Sequence, residues 1–251
     1  MMIFTIAARE LRSLFLSPLA WSVLAVVQFI LAYLFLAQVD NFMTLQPQLV
    51  GLEGAPGVTD LIAAPLLGDA AIVLLLVTPL ITMRILSEER RNGTLSLLFS
   101  APVSMTEIVL GKYLGLLGFF FILLAMLVAM PLSLLAGTPL DLGKLAAGVL
   151  GLGLLLAAFC AAGLYLSSLT EQPTVAAIST FGLLLLLWII DWAGKGGDEV
   201  SGLLHYLSLL RHYEPLLRGL VHSTDVLYYL LFIIIFLGLS IRRLDADRLS
   251  H

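Results

Sequence analysis

Residues 65–83 read PLLGDAAIVLLLVTPLITM, residues 84–103 read RILSEERRNGTLSLLFSAPV and residues 113–137 read YLGLLGFFFILLAMLVAMPLSLLAG. Two apolar runs, each about the length needed to cross a bilayer core, flank a segment that holds Arg84, Glu88, Glu89, Arg90 and Arg91. In the runs themselves the one Asp, Glu, Lys or Arg is Asp69, near an end. This alternation of long apolar run and compact charged loop decides the fold class.

Working outward, 60% of the chain is hydrophobic and 12% charged, and mean hydropathy is +1.06, against roughly 25% charged in a soluble domain. That is the composition of an integral membrane protein. Stretches of about 20 apolar residues recur without the period-2 alternation of an outer-membrane barrel, so the class is all-α, a polytopic bundle. The net charge of −4 is spread over separate loops and gives no basic patch for nucleic acid. Cys160 is the single cysteine and forms no internal disulfide.

Six spans are expected, at 19–39, 65–83, 113–137, 145–169, 175–192 and 224–241. Residues 1–17 place Ile3, Ile6, Ala7, Leu11, Leu14 and Phe15 on one face, which predicts an interfacial helix, and Pro18 separates it from the first span. The run 19–39 is longer than a signal-peptide core and lacks a small-x-small site at its end, so it is read as retained. Asp40 to Ala64, with Pro47, Gly51, Gly54, Pro56 and Gly57 and no Lys or Arg, reads as an external loop. Ser104 and Glu107 form a capping-box pattern at the start of the third helix. The fourth span is rich in Gly and Ala, which suits a central helix. Residues 203–222 are amphipathic and interrupted at Pro215, which predicts two short helices on the outer surface.

Orientation follows from the Lys and Arg in the loops. With both termini inside, the inner side holds Arg9, Arg12, Arg84, Arg90, Arg91, Lys112, Arg242, Arg243 and Arg248, and the outer side holds Lys144, Lys195, Arg211 and Arg218. Nine against four accounts for all 13 Lys and Arg, and the inverted topology reverses the rule.

The inventory of catalytic groups is thin. The spans lack the interior charges that mark proton relays and ion paths, and none of the Gly-Lys pairs at 111–112, 143–144 and 194–195 sits in a P-loop pattern. No catalytic or metal residue is assigned. His205, His212 and His222 share a region with Glu214 but lack a ligand spacing such as HExxH, and they read as histidines on the wet face of a surface helix. Gly111 and Gly115 form a GxxxG pair that reads as ordinary close packing ahead of a dimer seam. Within 84–103, Glu88 and Glu89 offset the arginines, which orientation does not require, and Leu95, Leu97, Leu98 and Phe99 add an apolar face suited to a partner's groove.

Glu88-Glu89-Arg90-Arg91-Asn92-Gly93-Thr94-Leu95, then Leu97-Leu98, Ala101-Pro102-Val103-Ser104 and Glu107-Ile108-Val109-Leu110-Gly111-Lys112, resemble the signature of the class-2 ABC export permeases. Tyr213-Glu214-Pro215-Leu216-Leu217-Arg218-Gly219-Leu220-Val221 followed by Asp225-Val226-Leu227-Tyr228-Tyr229 resembles the segment before the last span in the subgroup that serves gliding motility and nitrous-oxide-reductase maturation. One departure is Ser96, where the family often has a glutamate.

The resemblance implies six spans per subunit, two permease copies, two cytoplasmic ABC ATPase subunits that hold ATP and Mg, and a location in the bacterial inner membrane. Carried onto this chain, the ATPase-coupling residues are Glu88, Glu89, Arg90, Arg91, Gly93, Thr94, Leu97, Leu98 and Pro102. An outer gate or docking site is expected at His205, Arg211, His212, Glu214 and Arg218, with Arg218 paired to Glu214 across the Pro215 break. The chain itself needs no cofactor on this reading and is not an enzyme. The competing reading is a membrane component that transmits force to an extracytoplasmic partner with little substrate crossing. An intramembrane enzyme has no constellation to support it.

Overall fold

The computed structural model describes residues 2–49, 56–94, 103–193 and 206–249. The described residues form helices and turns with no strand. In chain order they are α1 (Met2–Leu16), α2 (Pro18–Leu49), a π-turn (Thr59–Ala63), α3 (Ala64–Thr82), α4 (Arg84–Arg91), α5 (Met105–Ser133), α6 (Leu142–Leu169), α7 (Pro173–Ala193), α8 (Leu209–Leu217) and α9 (Ser223–Leu249). Among the described residues, six helical stretches are long and apolar enough to cross a membrane.

α6 is the centre of the bundle, with 78% of its apolar window buried against 22% for α2 and α7. It packs against α3, α5, α7, α8 and α9. Small residues on α6 make this possible: a Cβ on Gly151 would lie 2.8 Å from Leu216 Cβ, and one on Gly163 would lie 2.6 Å from Thr82 Cβ. Bare backbone there lets two neighbours approach at once, the arrangement small-residue faces favour in membranes.

The amphipathic first helix lies along α5. Its Ile6 and Glu10 seat against Gly111 and Gly115, where an added Cβ would come to 2.6 and 2.7 Å of their Cβ atoms. The GxxxG pair is thus used for packing within the chain. Ser17 separates α1 from α2, and Trp21 Nε1 donates to Phe15 O at 2.8 Å across the elbow. α5 starts with the expected capping box: Glu107 N donates to Ser104 Oγ at 3.2 Å and Ser104 N to Glu107 Oε2 at 3.1 Å.

Two helices run beyond the bounds expected from the sequence. α2 continues to Leu49 through residues read as loop, since Val39, Phe42, Met43 and Leu45 sustain helical spacing and Gln38 Nε2 donates to Asp69 Oδ2 at 2.8 Å. Pro47 lies in its last turn, where its missing N–H removes a single bond. At about 1.5 Å per residue α2 is ~48 Å long, well beyond a ~30 Å hydrocarbon core. α9 likewise continues past Ile241, where the expected span ends, and stays helical to Leu249.

Both described chain ends and α4 share one end of the bundle, tied by contacts from α4 to α1 and α9. α8 lies at the opposite end, with the π-turn and the start of α6. There Asp60 takes Lys144 Nζ at 2.9 and 3.1 Å, and Thr59 Oγ1 accepts from Asp141 N at 2.9 Å.

Candidate functional site

The described part of the charged segment, Arg84–Arg91, is an eight-residue helix that continues α3 after a bend at Met83. Its strong amphipathicity follows from RILSEERR: Ile85, Leu86 and Ser87 are buried, and Arg84, Glu88 and Arg91 are exposed. α6 braces the bend. Ser167 Oγ accepts from Leu86 N and Ser87 N, both at 3.1 Å, and donates to Met83 O at 3.0 Å. The helix stops at Asn92, whose N–H reaches Glu88 O at 2.9 Å, and Gly93 then turns at φ +69, a conformation glycine adopts without penalty.

The charges divide into two sets. Glu89 and Arg90 are turned into the protein. Lys112 Nζ, almost fully buried, donates to Glu89 Oε1 at 2.7 Å, to Ile85 O at 3.2 Å and to Glu10 Oε2 at 3.3 Å. Arg9 lies 4.0 Å from Glu89. Arg90 Nη2 donates to Asp247 Oδ2 on α9, and Arg243 sits 3.6 Å from the other oxygen of that carboxylate. α4 is therefore bonded to side chains of α1, α5, α6 and α9.

Arg84, Glu88, Arg91 and Asn92 face outward at i, i+4, i+7 and i+8, a single helical stripe. All four line a polar cleft of about 800 Å3, whose other wall is Glu171, Gln172, Pro173 and Thr174 from the α6–α7 turn and the start of α7. Chemically the cleft presents both signs of charge, Arg84 and Arg91 beside Glu88 and Glu171.

Of the nine expected coupling residues, the structure brings Glu88 and Arg91 to the outward stripe and assigns Glu89 and Arg90 to internal ion pairs. Gly93 and Thr94 close the helix, with Thr94 N donating to Glu89 O at 3.0 Å. Leu97, Leu98 and Pro102 lie outside the described residues. The sequence assigns no site role to Lys112, Ser167, Glu10, Asp247 or Glu171. Lys112 carries a signal there, since it closes the quoted Glu107–Lys112 motif at the threshold of an apolar run; Ser167 carries none.

At the opposite end the expected pair of surface helices is corrected. α8 is one helix that passes through Pro215 without a break. Proline there forfeits only the bond to Arg211 O, two residues before the helix ends. The end is a Schellman closure, with Gly219 at φ +83, Leu220 N on Pro215 O at 2.9 Å and Gly219 N on Leu216 O at 3.1 Å.

Nor does α8 lie loosely on the surface. Leu209, His212, Tyr213 and Leu216 are buried, and Tyr213 Oη donates to Leu67 O at 2.9 Å. Burial pushes the Tyr213 phenol well above its ordinary range. His212, expected on the wet side, is enclosed instead. Its Nδ1 lies 2.7 Å from Asp225 Oδ1, its Nε2 lies 3.0 Å from Tyr206 O, and its ring stacks on Tyr228 at 4.0 Å. Arg211 and His222 are exposed, and Arg218 meets Glu214 at 3.8 Å on the same unbroken helix. His205 lies outside the described residues. Among the described residues no cluster of three or more His, Cys, Asp or Glu is placed to hold a metal ion.

These features define a multi-pass helical membrane protein with a charged helix anchored at one end of the bundle. A family model described as ABC-2 family transporter protein matches residues 4–249, and the chain belongs to that family. It is the membrane component of an ABC transporter. No curated protein matches the chain.

Proposed function

We propose that the chain is an export-type permease subunit driven by a separate cytoplasmic ABC ATPase, and that α4 is the helix the ATPase engages. The observation that carries this is the division of labour on α4. A helix bonded to α1, α5, α6 and α9 that still leaves one charged stripe open is suited to receive a push and distribute it. Arg84, Glu88, Arg91 and Asn92 contact the partner, and ATP and Mg are held in that partner. The described end with both termini faces the cytoplasm of a bacterial inner membrane, in keeping with the nine-to-four bias of Lys and Arg.

A path for cargo forms between two copies of the chain, since one six-span bundle organised around a filled central helix encloses little volume. The exposed Arg211, Glu214 and Arg218 on α8 offer a gate or a docking point for an extracytoplasmic accessory protein. The test is co-purification of the ATPase with the permease in detergent. Glu88→Lys combined with Arg91→Glu is expected to reduce the recovered ATPase at least tenfold while the permease keeps its yield and elution volume. Full recovery with the reversed stripe removes α4 as the docking helix. Native mass spectrometry showing one permease per two ATPases removes the homodimer.

A further inference from the structure

We propose that Lys112 is a positioning residue that joins α1 to the docking helix, so that the surface helix α1 follows α4 when the ATPase moves it. This rests on the reading of α4 as the docking helix. Lys112 sits on α5 and is almost fully buried, yet its three N–H donors are divided between two other helices: Glu89 Oε1 and Ile85 O on α4, and Glu10 Oε2 on α1. Ile85 and Glu89 are one turn apart, so the ammonium grips a single face of α4 and fixes its rotation about its own axis. That rotation decides which side chains, Arg84, Glu88 and Arg91, look into the cleft.

Packing alone does not require this arrangement. A buried ion cluster is weak evidence for stability, because an apolar side chain of similar size often serves as well; its better-attested contribution is register. Glu10 is the acid that faces inward on α1, while Arg9, Arg12, Phe4 and Leu16 face outward. α1 otherwise rests on α5 through Ile6, Leu11 and Phe15, seated closely along the face of Gly111, Gly115 and Gly118. The polar ties toward α4 run through Glu89, from Lys112 and from Arg9. A shift of α4 therefore pulls on α1 through a charged strut, and α1, with its exposed apolar and basic side chains, carries the shift along the membrane surface.

The experiment uses the full permease with its ATPase in nanodiscs, with Cys160 replaced by Ala and spin labels at Ser13→Cys on α1 and His222→Cys at the far end of the bundle. The Ser13–His222 distance is measured without nucleotide and with ATP trapped by vanadate. The native Lys112 protein is expected to show a nucleotide-dependent shift. Lys112→Arg keeps it, whereas Lys112→Met and Glu10→Gln abolish it with the ATPase still bound. Glu10→Gln removes the charge from the α1 arm of Lys112 and leaves its two α4 bonds in place, so it supplies the deciding measurement where Lys112→Met fails to fold. A shift that survives Glu10→Gln, or no shift in the native protein with ATPase bound and hydrolysing, overturns this inference alone. Absence of ATPase from the native permease overturns the functional reading and the inference with it.

Discussion

Gly163 on α6 faces Thr82 on α3 so closely that an added Cβ would lie 2.6 Å from Thr82 Cβ. One turn further along α6, Ser167 holds the bend from which α4 departs. The last turns of α6 and the root of the charged helix are thus a single packed unit.

Gly163→Ala is expected to overpack this contact and destabilise the protein by about 1–3 kcal/mol. Gly238→Ala on α9, where a Cβ meets nothing within 4 Å, is its control. Thermal unfolding in detergent separates them: a lower midpoint for the first and an unchanged or raised midpoint for the second. Equal midpoints would mean that the α3–α6 contact is looser than described.

Glu88 and Glu89 are neighbours in sequence with different fates. Glu89→Gln removes the carboxylate from a buried lysine and is expected to destabilise by roughly 1–3 kcal/mol, the cost of a poorly satisfied buried charge. Glu88→Gln leaves stability within about 0.5 kcal/mol, as exposed substitutions do, and weakens ATPase recovery. Urea denaturation and co-purification on the two single variants read the split. A Glu88 variant that is the less stable of the two contradicts it.

His212 and Asp225 tie α8 to α9 at 2.7 Å. Asp225→Ala leaves a buried imidazole nitrogen without its acceptor and is expected to cost about 1–3 kcal/mol. Amide exchange in residues 209–217 should quicken in the variant. Unchanged exchange there would show that Tyr213 and Leu216 hold α8 without the pair.

The exposed Glu214–Arg218 pair is worth about 0.2–1 kcal/mol, so Glu214→Ala is expected to lower the thermal midpoint by no more than about 2–4 °C. A larger loss would assign α8 a further partner for that carboxylate.

Topology is tested with single cysteines in a Cys160→Ala background. Arg218→Cys and His222→Cys are expected to react with an impermeant thiol reagent added from outside intact cells, and His212→Cys is expected to stay unlabelled because it is buried. Labelling of Arg218→Cys and His222→Cys only after the membrane is opened would invert the orientation.

Composition and pattern by themselves determined that this chain is an all-α membrane protein with six long apolar helices, an amphipathic first helix and a charged segment after the second apolar run. These are local properties: about 20 apolar residues satisfy a bilayer whatever surrounds them, and a Ser104–Glu107 capping box closes over four residues. The tertiary structure decided what the polar residues do. Which of four adjacent charges look outward depends on the rotation of α4, set by Ser167 from 80 positions away and by Lys112 from 23. Sequence spacing carries no record of such distant partners. Tertiary packing also turned His212 inward and kept α8 continuous through Pro215, because burial of Tyr213 and Leu216 against Gly151 and a Schellman closure at Gly219 outweigh one lost backbone bond.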